Sequence, residues 1–196
     1  ENMPTELEAK IRIDDPDAIR QKARALGLED EGEVFERNRL FDTAEEKLHA
    51  SGSAIRLREE FPTDGGETRV VLTFKGPRQK SRFKMRAEWN VDVSDADAMT
   101  AILEAAGFRE TFYYEKRRQM WRDGACEVTL DLVPFLGWFV EVEGPSEEAI
   151  GKTVARIGLA DSQVIAKGYV HLLAKHLKQA GQDPSRAAFD NQGARE

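Results

Sequence analysis

The stretch Glu6-Leu7-Glu8-Ala9-Lys10-Ile11-Arg12-Ile13 alternates without a break, with charge at every even position and apolar residues at every odd one. A period of two belongs to a β-strand, which sends successive side chains to opposite faces. The segment therefore predicts a strand with one apolar face and one face carrying two acids and two bases. Whether that charged face is washed by solvent or walls a site depends on the other strands.

They repeat the parity. Arg56 and Arg58 flank Leu57, Thr73 and Lys75 flank Phe74, and Lys84, Arg86 and Glu88 alternate with Phe83, Met85 and Ala87. Lys116 and Arg118 stand two apart, as do Thr129 and Asp131, while Glu141 and Glu143 flank Val142. On any single strand such charge ordinarily means surface. Here the polar face is rich in Arg and paired Glu in strand after strand, and the apolar face needs helices to cover it. About eight strands close a barrel. The expected fold is α+β: a closed eight-stranded antiparallel β-barrel, a tunnel with a charged interior and helices packed outside.

Two helix patterns follow strands. Asp15 caps a helix that starts at Pro16 and stops at Gly27; Asp95 or Ser94 caps another that stops at Gly107. Asp15 falls on Asp95, Gly27 on Gly107, Arg37 on Arg117 and Glu8 on Glu88 at one offset of 80 residues, which predicts two pseudo-repeated halves. Further strands are expected at 34–41, 54–59, 68–75, 83–91, 113–121, 126–133 and 138–143, with helices near 147–157 and 162–178. One domain over residues 4–180 follows, with 181–196 as a flexible polar tail.

The chain of 196 residues has 40% hydrophobic residues, enough for one core, and a net charge of −7, which argues against a general nucleic-acid binder. The single Cys126 excludes a disulfide framework or a cysteine-rich zinc site. No apolar run approaches the roughly 20 residues that span a membrane, and no signal peptide precedes the first strand, so a cytoplasmic protein is expected. His49, His171 and His176 lack metal-site spacing and read as surface residues. Cys126 and the tryptophans Trp89, Trp121 and Trp138 read as packing residues. The basic run from Lys75 to Lys84, with Arg78, Lys80 and Arg82, reads as a solvated loop that could also close over phosphate.

Unpaired charges inside a lumen are costly, so a metal and an anion are its natural guests. Lys10, Arg56, Arg58, Lys75, Lys116 and Arg118, with Arg86, suit a polyphosphate, because Arg forks grip phosphate oxygens in pairs and Lys supplies point charges. The pairs Glu6/Glu8 and Glu141/Glu143 suit Mg²⁺ or Mn²⁺, which prefer carboxylate and water oxygens.

These residues resemble the CYTH superfamily, the triphosphate tunnel metalloenzymes. E-L-E-A-K is similar to its E-x-E-x-K signature, and A-I-R-L-R, L-T-F-K-G-P, R-A-E, E-K-R-R, L-D-L-V-P-F-L-G-W-F-V-E-V-E and K-G-Y follow in the family's order over roughly residues 5–178. The resemblance implies a barrel that binds a triphosphate with Mg or Mn. It makes Glu6, Glu8, Glu141 and Glu143 the metal carboxylates, assisted by Glu88 and Asp131, and adds Lys167 to the cradle as a lysine from the closing helix. Sequence places no general base; Lys167 is the candidate. Asn90 stands where many relatives carry an acid, which puts a second metal in question. The set looks most like the class IV adenylyl cyclase branch, which converts ATP to cyclic AMP and pyrophosphate. Hydrolysis of tripolyphosphate or thiamine triphosphate is the alternative, and a non-catalytic polyphosphate- or nucleotide-binding module the rival of another kind. The implied partner is a small triphosphate, with no nucleic acid and no membrane; a homodimer is allowed for. Arg12 matches no motif position.

Overall fold

The structure, a computed structural model, describes residues 5–79 and 83–190. Lys80, Arg82, the side chain of Lys84, Pro4 at the start of the expected domain and the last six residues of the expected tail lie outside the described residues.

The strands are β1 (Thr5–Ile13), β2 (Glu29–Thr43), β3 (Ala54–Pro62), β4 (Arg69–Lys75), β5 (Lys84–Val93), β6 (Phe108–Asp123), β7 (Cys126–Val133), β8 (Gly137–Glu143) and the two-residue β9 (Arg186–Ala187). The helices are α1 (Pro16–Ala25), α2 (Lys47–Ser51), α3 (Ala96–Ala105), α4 (Glu147–Arg156) and α5 (Tyr169–Gln179). The sheet runs β2-β3-β4-β5-β1-β8-β7-β6, and β6 returns to pair with β2. Every contact in that ring is antiparallel, so the eight strands form a closed barrel. Closure satisfies the backbone groups that an open sheet leaves at its edges.

The closing seam is longer than the sequence pattern predicts, because β2 and β6 have 15 and 16 residues. Irregularities between Asp30 and Gly32 and between Leu40 and Phe41 break their alternation and hide it from a period-two reading. Local capping follows the expected chemistry. Asp15 Oδ1 accepts from the Ala18 N–H at 3.0 Å ahead of Pro16, and Asp95, not Ser94, accepts from the N–H groups of Asp97 and Ala98.

The outer faces of the strands carry the core. Ile19 and Ala23 of α1, and Ile150 and Val154 of α4, pack on Ala9, Ile11, Val128, Leu130, Val140 and Val142. Leu103 of α3 packs on Phe41 and Leu57. Each such aliphatic side chain contributes about 1.5–3 kcal/mol when buried. Trp121 and Cys126 sit in the first of these clusters. Trp89 instead stays on the barrel exterior beside Phe74, ring centroids 5.8 Å apart, and Trp138 is half-buried with the Arg20 guanidinium over its ring.

Two elements depart from the sequence expectation. The helix expected over 162–178 begins at Tyr169, since Val164 bridges Ile11 and the Ile165 N–H donates to the Lys10 carbonyl at 2.7 Å, holding that segment extended along β1. The tail expected to fray from Gly181 is docked as far as it is described. Arg186–Ala187 pairs parallel with β6, the Phe189 N–H donates to Glu115, and the Phe189 ring lies 6.3 Å from that of Phe35. Among the described residues no helix is long and apolar enough to cross a membrane.

Candidate active site

With the outer faces committed to helices, the alternate residues of each strand project into the barrel. A cavity of about 590 Å³ opens there, lined by eight Lys and Arg side chains and seven carboxylates. That near balance lets the acids and bases neutralise one another, and they do so in linked groups.

Lys10 lies directly opposite Glu141 in register and pairs with it at 2.7 Å, with Glu8 at 3.4 Å. Lys75 bridges Glu6, at 2.9 Å, and Glu88, while Arg86 Nε donates to the other Glu6 oxygen at 3.1 Å. Arg118 forks onto both oxygens of Asp131 at 2.7 Å and reaches Glu141 at 2.5 Å. Lys116 sits between Asp131 at 3.2 Å and Glu36 at 3.4 Å, and Arg58 pairs with Glu60 at 2.9 Å and reaches Glu36 at 3.5 Å. From α5 the Tyr169 hydroxyl donates to Asp131 at 2.9 Å, and its ring lies 4.1 Å under the Lys10 ammonium.

The electrostatic consequences follow from these contacts. Burial alone would raise Glu36, but Lys116, Arg58, Arg118 and Arg56 hold its carboxyl far below the usual range. Burial lowers Lys10, and Glu141 and Glu8 more than reverse that. Burial raises Glu88, yet Lys75 and the neighbouring cations hold it at about 2. Lys116 is lowered, by burial first and then by Arg118. Glu143 differs from the rest. Burial, then repulsion from Glu6, Glu127, Glu88 and Glu8, pushes its carboxyl up to about 7, although its outer edge meets solvent. The register explains the crowding: Glu8 on β1 and Glu127 on β7 both lie directly opposite Glu143, and like charges so placed repel.

Arg56 is the other exception. It has no ion pair among the described residues, and its Nε, like that of Arg58, is buried without a hydrogen-bond partner. A buried donor left in this way is costly and suits an anion.

Of the residues expected to form the site, Lys10, Arg56, Arg58, Lys75, Arg86, Lys116, Arg118, Glu6, Glu8, Glu88, Glu141 and Glu143 line one cavity, and Asp131 is buried against two of its cations. Lys167 is exposed, outside the cavity lining. Sequence reasoning passed over Glu36 and Asn38, both wholly buried inside the barrel, and Tyr169. Glu36 and Asn38 share one parity in β2, which was a legible signal. Tyr169 acts from a helix, and strand parity says nothing about it. Asn90, the neutral departure, accepts from the Thr73 hydroxyl at 2.7 Å and donates to Glu88 at 3.0 Å.

A closed barrel with an outward core and a lumen of interleaved cations and carboxylates defines the class of barrel proteins whose charged residues face inward. The CYTH domain family model matches residues 4–169, and the chain belongs to that family. It is 29% identical over 185 residues to the Aeromonas hydrophila adenylate cyclase CyaB, covering 88% of this chain and 90% of that protein. A Methanocaldococcus jannaschii protein provisionally named an adenylate cyclase is 26% identical over 176 residues, covering 85% and 97%. Among solved structures, PH1819 of Pyrococcus horikoshii superposes with a TM-score of 0.75 at 25% identity, over 87% of this chain and 98% of that one. A Hippeastrum protein described as having a dominant triphosphatase activity superposes with a TM-score of 0.66 at 17% identity, over 91% and 97%.

Proposed function

We propose that this chain is a divalent-cation-dependent enzyme that binds a triphosphate in the tunnel and converts ATP to cyclic AMP and pyrophosphate, as in class IV adenylyl cyclases. The observation that carries the reading is the pair of orphaned guanidinium Nε donors of Arg56 and Arg58, on successive inward positions of β3. Cationic donors spaced along a fixed strand match the spaced oxygens of a phosphate chain. Lys75, Lys116, Arg86 and Arg118 complete the cradle by exchanging a carboxylate partner for phosphate.

A cation fits the opposite chemistry. Glu8, Glu127 and Glu143 form one cross-strand row of hard oxygen donors, and the Glu143 carboxyl is raised by burial first and then by the neighbouring Glu6, Glu127, Glu88 and Glu8. Among the described residues no three carboxylate, His or Cys side chains already converge as a metal cage. Mg²⁺ or Mn²⁺ held by Glu8 and Glu143, with Glu6, Glu141, Glu88 or Asp131 nearby, would neutralise phosphate charge. The chain's cations hold the triphosphate so that the ribose 3′-hydroxyl attacks the α-phosphorus, its proton passing to solvent water as the new P–O bond forms. The bond from that phosphorus to the bridging oxygen breaks, and pyrophosphate leaves into the Lys and Arg field.

Hydrolysis is the second reading, supported by the triphosphatase activity described for the Hippeastrum neighbour. Product analysis separates the two. ATP, tripolyphosphate and thiamine triphosphate are each incubated with the protein and Mg²⁺ or Mn²⁺. Cyclic AMP with pyrophosphate is the expected outcome; orthophosphate alone selects hydrolysis, and binding without turnover of any of the three overturns the enzyme reading.

A further inference from the structure

One stretch of the barrel wall is not completed by the eight strands alone. β7 lies against β6 only from Arg117 to Asp123, so the first half of β6 has no barrel strand on that side. The segment after α5 fills the gap as a strap. The Gln182 N–H closes on the Leu177 carbonyl at 2.9 Å, and Asp183 accepts from the N–H and hydroxyl of Ser185 at 2.9 and 2.6 Å. The Tyr113 N–H then donates to the Ser185 carbonyl at 2.8 Å, and Arg186 and Ala187 run beside Tyr113 and Tyr114. The Arg186 guanidinium lies 4.2 Å over the Tyr113 ring, and Glu115 accepts from both the Tyr113 hydroxyl and the Phe189 N–H. Ala187 is wholly buried in the cluster that holds Phe112, Tyr114, Leu173 and Leu177. The strap lies beyond residues 4–169, which the family model matches.

Tyr114 alternates with Tyr113 and is buried, lining the cavity. It stands opposite Asn38 on β2 and Ala187 on the strap, and Asn38 in turn stands opposite Arg58. Arg56 is the next inward position of β3. The Tyr114 hydroxyl is within hydrogen-bonding reach of the Arg56 guanidinium. Burial raises the phenol above its ordinary value, so it is an intact hydroxyl at neutral pH.

We propose that Tyr114 is a positioning residue of the tunnel: seated between β2 and the strap, its hydroxyl orients the Arg56 guanidinium toward a bound anion, and residues 185–189 act on ligand affinity through it. The inference rests on the tunnel reading above and adds to it a segment outside the lumen that sets the strength of binding. A phenol suits this task because it is neutral. A carboxylate would engage the guanidinium charge, as Asp131 does for Arg118; a hydroxyl aims the side chain and leaves its charge for the ligand. A long side chain already held in place also loses less freedom when the ligand arrives.

The test is a double-mutant cycle read in metal-free binding. Tripolyphosphate is titrated calorimetrically, in the presence of a chelator, into the wild type, Tyr114→Phe, Ala187→Asp and Arg56→Ala, and into each of the first two changes combined with Arg56→Ala. Urea midpoints are followed in parallel. Tyr114→Phe removes only the hydroxyl, and Ala187→Asp lifts the strap by burying a charge. Should Ala187→Asp fail to fold, Phe189→Ala, which removes the strap's ring contact with Phe35, takes its place. Each single change at Tyr114 or the strap is expected to weaken binding about tenfold. In the Arg56→Ala background the same changes are expected to cost less than about twofold, because the group they act through is gone. A residue that merely packs loses the same factor in both backgrounds. Equal losses in the two backgrounds, or no loss in Tyr114→Phe, overturn the proposal while leaving the tunnel reading intact. No loss in the strap variant overturns the strap's part in it. If the wild type does not bind tripolyphosphate, the tunnel reading falls and this inference with it.

Discussion

Lys10 Nζ stands 2.7 Å from Glu141 Oε1, its direct cross-strand partner, with the two side chains 2% and 12% exposed. Neither charge can relax into water if the other is removed. Breaking a buried pair from one side costs about 3–5 kcal/mol, because the survivor is left uncompensated. Lys10→Met is therefore expected to lose stability on that scale, read as a lower urea midpoint with an unchanged slope. An unaltered midpoint would show that Arg118 alone suffices for Glu141.

Glu36 makes the pH dependence explicit. Its folded carboxyl lies well below its unfolded value of about 4.3. The stabilisation it provides is complete above that unfolded value and drains away as pH falls toward the folded one. Wild-type stability should thus decline below about pH 4.3, and Glu36→Gln should be less stable at pH 7 yet flatter on acidification. Parallel acid profiles for the two proteins would contradict this.

Glu143 has the opposite sign. A carboxyl raised to about 7 takes up a proton on folding between about pH 4.3 and 7, so stability falls as pH rises through that interval. Solvent at its outer edge screens the repulsion, and the effect is set at about 1 kcal/mol, or about 2–4 °C in a domain of this size. Without metal, Glu143→Gln should melt higher than the wild type at pH 8 and equally at pH 5. With Mg²⁺ or Mn²⁺ the variant should forfeit metal-dependent turnover while remaining folded.

Arg56 separates binding from folding. It makes no direct ion pair among the described residues and supports Glu36 only as one of four cations, so Arg56→Ala should lose less stability than Lys116→Ala. Its loss should weaken tripolyphosphate about 10–100-fold, the worth of a charge-assisted hydrogen bond. Lys116→Ala should instead weaken both, since Lys116 also holds Glu36 and Asp131. Unchanged affinity in Arg56→Ala would remove the observation on which the phosphate cradle rests.

The barrel and most of its lumen were legible because side-chain parity is a property of single strands. Glu6, Glu8, Lys10, Arg56, Arg58, Lys116 and Arg118 needed only their neighbours two residues away. What parity cannot supply is register. That Glu8 and Glu127 converge on Glu143 depends on which residues lie opposite across two strand pairs. Glu36 and Asn38 shared a legible parity that was passed over, and Asp42 acts by accepting from the first N–H groups of α2, a helix with no apolar period to announce it. The docking of residues 186–189 on β6 depends on aromatic and polar contacts scattered over three elements. The position of Lys167, carried over from family likeness, is the one place where the expected cradle and the cavity lining part company.

β1 has a further consequence for how the tunnel comes into being. Its two neighbours, β5 and β8, are both far along the chain, and it makes no hairpin with β2. During synthesis the first strand of the barrel gains its β5 partner only once residues 84–87 have emerged, and its β8 partner only once residues 138–143 have. Such distant pairing is slow, because a long loop must close before any contact rewards it. The strand made first is then among the last to be seated, and it carries Glu6, Glu8 and Lys10. A chain that has lost the means to complete its barrel has therefore also lost its means of holding a charged ligand, and a ligand able to bridge β1, β5 and β8 would hasten the final closure.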